Sequence, residues 1–386
     1  MRRAILIAVA CLGVWVPSAR AVDWNIKSSF TETLEFNDNR AMRTNPAGNS
    51  YNSVSALMFD AHALTPTTRL DLKGGLTYRA YSGPGEAGTV NALDNNVSAR
   101  FEKTTKLTTY NLTASRSERE TATLQLEETG LATLTGSTIV ETLGGGFKHR
   151  LGPRDTVASQ TTWSSTSFTE SNGTPFTSLT SSLDWTHNVN PITELLPSLQ
   201  FQHLSYDNAA QSEVTFWRAM MGMQTQLSRR LKFKGSAGGA WLDSKQNSIA
   251  AANPAGLTSG SALDWLADMH LTYQPSHTVT VGLTASRSVG PTTLGQFLKT
   301  DSFGASLQYS INQVSNVALS GSFAHQTSAT ASAADILSAS VAYSRRLTRE
   351  WRSQLSYKFQ QRDSDTGSAH SNAVLFSVTR EATILP

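Results

Sequence analysis

Cysteine is almost missing: the 386 residues contain one, Cys11, inside the apolar stretch Ala4–Val16 near the start of the chain. A chain processed behind that stretch has none, which excludes a disulfide framework, a thiolate-ligated metal and thiol catalysis. Charge is also scarce, with Asp, Glu, Lys and Arg at 16% against roughly 25% in ordinary soluble domains. Long hydrophobic runs are absent beyond the N-terminal stretch; nothing there approaches the ~18 apolar residues of a membrane-crossing helix, so a helical membrane protein is excluded. The formal charge of +3 owes everything to Arg2, Arg3 and Arg20. Without them the basic residues equal the 29 acidic ones, leaving no bulk charge for binding nucleic acid.

What the chain has instead is hydroxyls, with Ser and Thr near a quarter of all residues, a composition that suits strands better than helices. Met1-Arg2-Arg3, the apolar core and Ala19-Arg20-Ala21 read as a secretory signal over residues 1–21. From Trp24 onward the recurring pattern is apolar–polar alternation over about ten residues, the period of a strand with one greasy and one wet face. Leu70, Leu72, Gly74, Leu76, Tyr78 and Ala80 alternate with Arg69, Asp71, Lys73, Gly75, Thr77 and Arg79. Further examples are Leu263-Trp265-Ala267-Met269-Leu271-Tyr273 and Leu337-Ala339-Val341-Tyr343.

Short turns such as Thr65–Thr67, Thr104–Lys106, Gly152–Asp155 and Asn190-Pro191 fall at every second connection, and long polar links such as Asn37–Asn49, Ser117–Ser137 and Asp243–Gly260 fall between them. That alternation predicts an all-β fold: an up-and-down antiparallel transmembrane β-barrel of about 16–18 strands in the bacterial outer membrane, filling residues 22–386 as one domain with both termini periplasmic. A sandwich rarely runs this long as one unit, and a propeller or solenoid would keep a fixed repeat. The segment Leu112-Thr113-Ala114-Ser115-Arg116-Ser117 recurs as Leu283–Ser288 at the corresponding place in another outgoing strand. Val374–Val378 reads as the last strand, before a terminus, Ile384-Leu385-Pro386, that lacks the usual aromatic.

The eight histidines are scattered singly, without the i, i+2 spacing that would place two metal ligands on one strand face. Asp264, Asp268 and His270 share the polar face of one expected strand, and with no nucleophile motif beside them they read as a lumen hydrogen-bond network rather than a hydrolase site. Gly144-Gly145-Gly146 lies inside a strand pattern with no following Lys-Ser/Thr, which favours close backbone approach over a phosphate loop. The sequence therefore predicts no enzyme, no cofactor and no metal. Its remaining candidates are the charges of the polar phase: Lys73, Arg79, Arg100, Arg218, Asp264, Asp268, His270 and Lys358. At this strand number the interior is too wide for side chains to fill, so lumen charges with a basic excess would tune selectivity toward anions.

The opening strand, Trp24 followed by Thr31–Asn39 with Glu35-Phe36-Asn37-Asp38-Asn39 at its end, resembles that of β-barrel porins associated with exopolysaccharide systems. The resemblance implies a channel passing polar or saccharide solutes, serving exopolysaccharide export or assembly, with outer-membrane lipid and periplasmic polysaccharide-export components as partners. Competing expectations are a structural or adhesive surface barrel with a plugged lumen and, less favoured, an outer-membrane hydrolase.

Overall fold

The structure is a computed structural model that describes residues 22–83, 91–132, 134–169, 173–207, 212–245, 260–292, 297–328, 333–365 and 367–385. The expected signal over residues 1–21 lies outside the described residues. Among the described residues eighteen antiparallel strands succeed one another in chain order, each paired with its sequence neighbours. They are β1 (Asp23–Asn37), β2 (Ser50–Leu64), β3 (Thr68–Ser82), β4 (Asn91–Thr104), β5 (Thr108–Glu120), β6 (Ser137–Arg150), β7 (Asp155–Thr169), β8 (Phe176–Asn190) and β9 (Thr193–Tyr206). The second half runs β10 (Glu213–Ser228), β11 (Leu231–Lys245), β12 (Gly260–Tyr273), β13 (Val279–Pro291), β14 (Phe297–Ser310), β15 (Ser315–Ser328), β16 (Ala334–Arg346), β17 (Trp351–Ser364) and β18 (Gly367–Leu385). β1 pairs with both β2 and β18, from Asn37↔Ala373 down to Ile26↔Leu385, so the sheet closes on itself. The fold is a closed up-and-down barrel, at the upper end of the expected strand count.

Period-two patterning sorts the side chains. On one phase Phe30, Phe59, Leu76, Leu143, Leu183, Leu199, Met221 and Leu319 stand exposed around the barrel, forming the apolar band that faces lipid. Aromatics bound it at both ends. Tyr110, Trp185, Tyr273, Tyr309, Tyr343 and Trp351 lie toward the short turns, and Phe36, Tyr51, Tyr78, Trp217, Trp241 and Trp265 toward the long loops, where amphipathic rings meet headgroups. Neighbouring rings pack: Phe36 on Tyr51 at 5.3 Å and Phe201 on Trp217 at 4.7 Å. The architecture is that of an outer-membrane barrel.

Two expectations about single segments are settled in different ways. The last strand does not stop near Val378: β18 is the longest of all, because Arg380 and Glu381, which interrupt the apolar alternation, find partners at the short-turn rim. Arg380 pairs with Glu350 at 3.3 Å and lies over the Trp351 ring, while Glu381 pairs with Arg352 at 3.5 Å. The glycine run of β6 does sit within a strand, where a Cβ at Gly146 would collide with the carbonyl oxygen of Ser159. Close backbone approach is the reason for that glycine.

The phase assignment is testable at mid-strand. Leu183, in the centre of β8 and 49% exposed on the outward face, should cost about 2–4 kcal/mol when changed to Arg, the range for a basic residue near the bilayer midplane. Ser182→Arg, one residue away on the inward phase, should be tolerated. Heat-modifiable gel migration and urea unfolding in lipid vesicles measure the difference, and equal costs would reverse the phase.

Candidate functional site

The link between β5 and β6 reads as a loop in sequence, yet it contains the helix α1 (Thr121–Thr129). Nine residues are too few to hold a helix in water, so its stability comes from the barrel wall at both ends. At the N-terminal end Glu120, 1% exposed, accepts hydrogen bonds from Tyr81 Oη (2.6 Å), Thr123 Oγ1 (2.6 Å) and Arg40 Nη2 (3.2 Å). Arg40 also donates to Tyr81 Oη and lies 3.8 Å above that ring, and Arg79 pairs with Asp94 at 2.7 Å while donating to Thr123. Two cations and two carboxylates thus balance in a pocket where an unpaired charge would be costly. A carboxylate at this helix end also suits the macrodipole.

The C-terminal end reaches strands on the other side of the ring. Gln326 of β15 donates to the Glu128 carbonyl at 2.8 Å and Arg362 of β17 to the Thr129 carbonyl at 3.2 Å, satisfying carbonyls that the helix leaves unpaired. Gly130 ends the helix at φ +67°, where a Cβ would press on Ile336, Arg362 and Gln360; both the left-handed backbone and the close approach call for glycine. The helix therefore bridges the lumen from β5 to β15–β17. Beside it lies a cavity of about 260 Å³ whose lining includes Arg40, Arg79, Lys358, Glu35 and Glu127.

Arg40 reaches this position because the chain after β1 folds inward. Asn39 is held by its backbone N–H to Asn37 Oδ1 (2.8 Å) and by its amide to the carbonyls of Arg43 and His370. Asp38 accepts the backbone and amide N–H groups of Asn372, both at 2.7 Å. The Glu35–Asn39 segment that carries the family resemblance is, in this barrel, the fastening that seats the first loop on β18.

A second inward feature lies on the other side of the barrel. Phe176, Leu204, Tyr206, Val214, Phe216, Leu242 and Leu266 are buried together near the long-loop ends of β8–β12, on the phase opposite the lipid-exposed Leu183, Leu199, Trp217, Trp241 and Trp265. Periodicity alone did not foresee this cluster, since strand ends rich in both phases read simply as irregular.

The sequence candidates fall in separate places. Arg79 and Lys358 meet at the α1 cavity. Lys73 pairs with Asp60 at 3.5 Å and Arg100 with Glu102 at 3.3 Å. Arg218 donates to Gln200 and lines an inward cavity of about 500 Å³ together with Asp268. Asp264, Asp268 and His270 form no joint site: Asp264 bonds Lys299 (2.7 Å) and Arg287 (3.2 Å), and His270 contacts Thr272 at 3.0 Å. Histidines that look solitary in sequence have cross-strand acids, as His62–Asp71 (2.5 Å), His187–Asp155 (2.8 Å) and His325–Asp335 (2.6 Å). Arg40, Glu120 and Arg362 escaped sequence reading because loop folding, not strand phase, creates their roles.

No protein-family model matches the chain, and no curated protein matches it in sequence. Solved structures do. Pseudomonas aeruginosa OccK2 (OpdF) superposes with a TM-score of 0.57 at 8% identity, over 94% of this chain and 99% of that one; OccK2 has also been solved in complex with glucuronate. Acinetobacter baumannii OccAB2 gives 0.54 at 9% identity, over 94% and 98%. The copper transporter OprC gives 0.54 at 13% identity over 90% of this chain, which spans only 62% of OprC. At these identities the likeness establishes the barrel fold.

Removing the carboxylate that anchors α1 tests the bridge. Glu120→Ala removes the carboxylate that Arg40 pairs with beside Tyr81, and breaking such a pair costs on the order of 3–5 kcal/mol. The helix should become open to limited proteolysis while the barrel stays heat-modifiable, and single-channel conductance should rise. A protected α1 in the variant would show that the anchor lies elsewhere.

Proposed function

We propose that this chain is a non-enzymatic porin-like channel of the outer membrane that passes small polar solutes, with a preference for anionic saccharides. The observation that carries the reading is the bridge across the lumen: α1 narrows a barrel otherwise too wide for its own side chains to fill, and leaves beside it a small cavity lined by three cations and two carboxylates. Arg40 and Arg79 are balanced by Glu120 and Asp94 and Glu127 by Arg119, so the local field there turns on Lys358 against Glu35, while Arg218 with Lys234 supplies positive charge along the opposite wall. Lys73 and Arg100, each beside an acid, contribute less. The glucuronate bound by OccK2 supports carboxylate-bearing sugars as a solute class for this shape of barrel. Service in exopolysaccharide export or assembly, with periplasmic export components as partners, is the finer form of the reading and rests on the first-strand resemblance.

Planar-bilayer recording tests it. The channel should favour anions, with the preference fading as salt shortens the Debye length from about 10 Å at 0.1 M to about 3 Å at 1 M. Lys358→Gln with Arg218→Gln should lower the anion-to-cation permeability ratio by about twofold, and a uronate oligosaccharide should block the wild-type current more than a neutral one. An unchanged ratio would remove these residues from selectivity. A sealed bilayer around folded protein would make this a plugged surface barrel instead.

A further inference from the structure

The barrel wall is incomplete at one seam. β12 and β13 share seven residue pairs, from Tyr273↔Val281 up to Ala267↔Arg287, whereas every other neighbouring pair keeps ten or more among the described residues. Above that point both strands continue, β12 on β11 as far as Ser244↔Gly260 and β13 on β14 as far as Pro291↔Phe297, but no longer on each other. The unzipped stretch lies in the long-loop half of the wall, where ladder groups facing lipid need a partner. Asp264 supplies one by accepting the N–H of Trp265 at 2.9 Å.

Two cavities meet there. The outward one, about 710 Å³, is walled by Met221, Met223, Phe233, Met269, Phe303 and Phe323. The inward one, about 500 Å³, includes Arg218 and Lys234. Ala267, Asp268, Ser286 and Arg287 belong to both, so the seam is the common wall between lumen and lipid.

Arg287 closes it. It sits on the phase of the lipid-facing Leu283 and Ala285, yet its guanidinium spans the gap, donating Nη1 to Asp301 (3.0 Å) and Nη2 to Asp264 (3.2 Å) while stacked 4.3 Å from the Trp265 ring. Its Nε is buried with no hydrogen-bond partner among the described residues. That leaves one buried charged donor at the seam without an acceptor, and an unmet buried donor is costly.

We propose that the β12–β13 seam is a lateral portal that binds a single-chain amphiphile with an anionic head, a fatty-acid-like carboxylate, with its head on Arg287 and its chain in the outward methionine–phenylalanine groove. The head supplies the acceptor that Nε lacks, the groove takes the chain without leaving the membrane, and the inward cavity continues the route to the lumen. This goes beyond the polar-solute channel and does not depend on it.

Binding is read by electron paramagnetic resonance on the full barrel in phosphatidylcholine nanodiscs. The probe is a dodecanoate carrying a nitroxide near the chain end, compared with the same chain bearing a trimethylammonium head and with chain-labelled phosphatidylcholine. The portal predicts a saturable, motionally restricted dodecanoate population, favoured over the ammonium probe by at least about tenfold, the least expected of a hydrogen bond to a charged group. Ala285→Trp, which fills the groove from its outward face, should abolish that population, and Arg287→Gln should erase the head preference. Heat-modifiable migration and bilayer conductance report folding separately, and Ala285→Trp keeps the test valid should Arg287→Gln fail to assemble. Equal restriction of all three probes, which is ordinary annular lipid, or restriction indifferent to Ala285→Trp, would overturn the proposal.

Discussion

Backbone hydrogen bonding in a medium without water governs this molecule. In hydrocarbon each N–H and C=O must find a partner within the protein, which leaves a closed barrel as the spanning form for described residues that include no helix long and apolar enough to cross. The closing pair β1–β18 is therefore as essential as any hairpin: without it two strand edges would face lipid. The extra length of β18, with Thr379 on Thr31 and the charges of Arg380 and Glu381 matched at the rim, serves that closure.

Closure at eighteen strands creates a second problem, an interior that wall side chains cannot fill. The chain answers it asymmetrically. On the β1–β5 side a charge-balanced network holds the first and third loops inside, and the bridge to β15–β17 uses helix-end carbonyls as acceptors for Arg362 and Gln326. Across from it an apolar cluster under Phe216 and Leu242 does the filling without charge. The lumen is therefore polar and charge-balanced on one wall and oily on the other near its outer end, a contrast that strand periodicity alone does not encode.

How much of this could be read from the residues follows from the range of each interaction. Alternation is a local property of the strand, so the barrel, its turn–loop polarity and the phase of Lys358 or Arg218 were legible, because a one-residue slip would turn every side chain the wrong way. The α1 bridge depends on contacts between residues as distant as Gln326 and Glu128, and no local pattern announces them. Glu35–Asn39 shows the middle case. Its resemblance to a family strand was visible, but its work in fastening the first loop to Asn372 and His370 needed the closed ring.

The repeated Leu-Thr-Ala-Ser-Arg-Ser segment brings these threads together. Both copies place an arginine on the outward phase near the long-loop end, where full burial in lipid would cost about 2–4 kcal/mol at the midplane and much less toward the interface. Arg116 sits in an unbroken wall, register-paired with Glu141 and close to Glu118, and so acts as a rim charge. Arg287 is register-paired with Asp301 on one side and on the other with Ala267, the last pair before β12 leaves. Its remaining donors turn into the gap. The same six residues thus give a surface ion pair in one hairpin and the bolt of a seam in another, and the difference lies in the neighbouring strand, not in the segment.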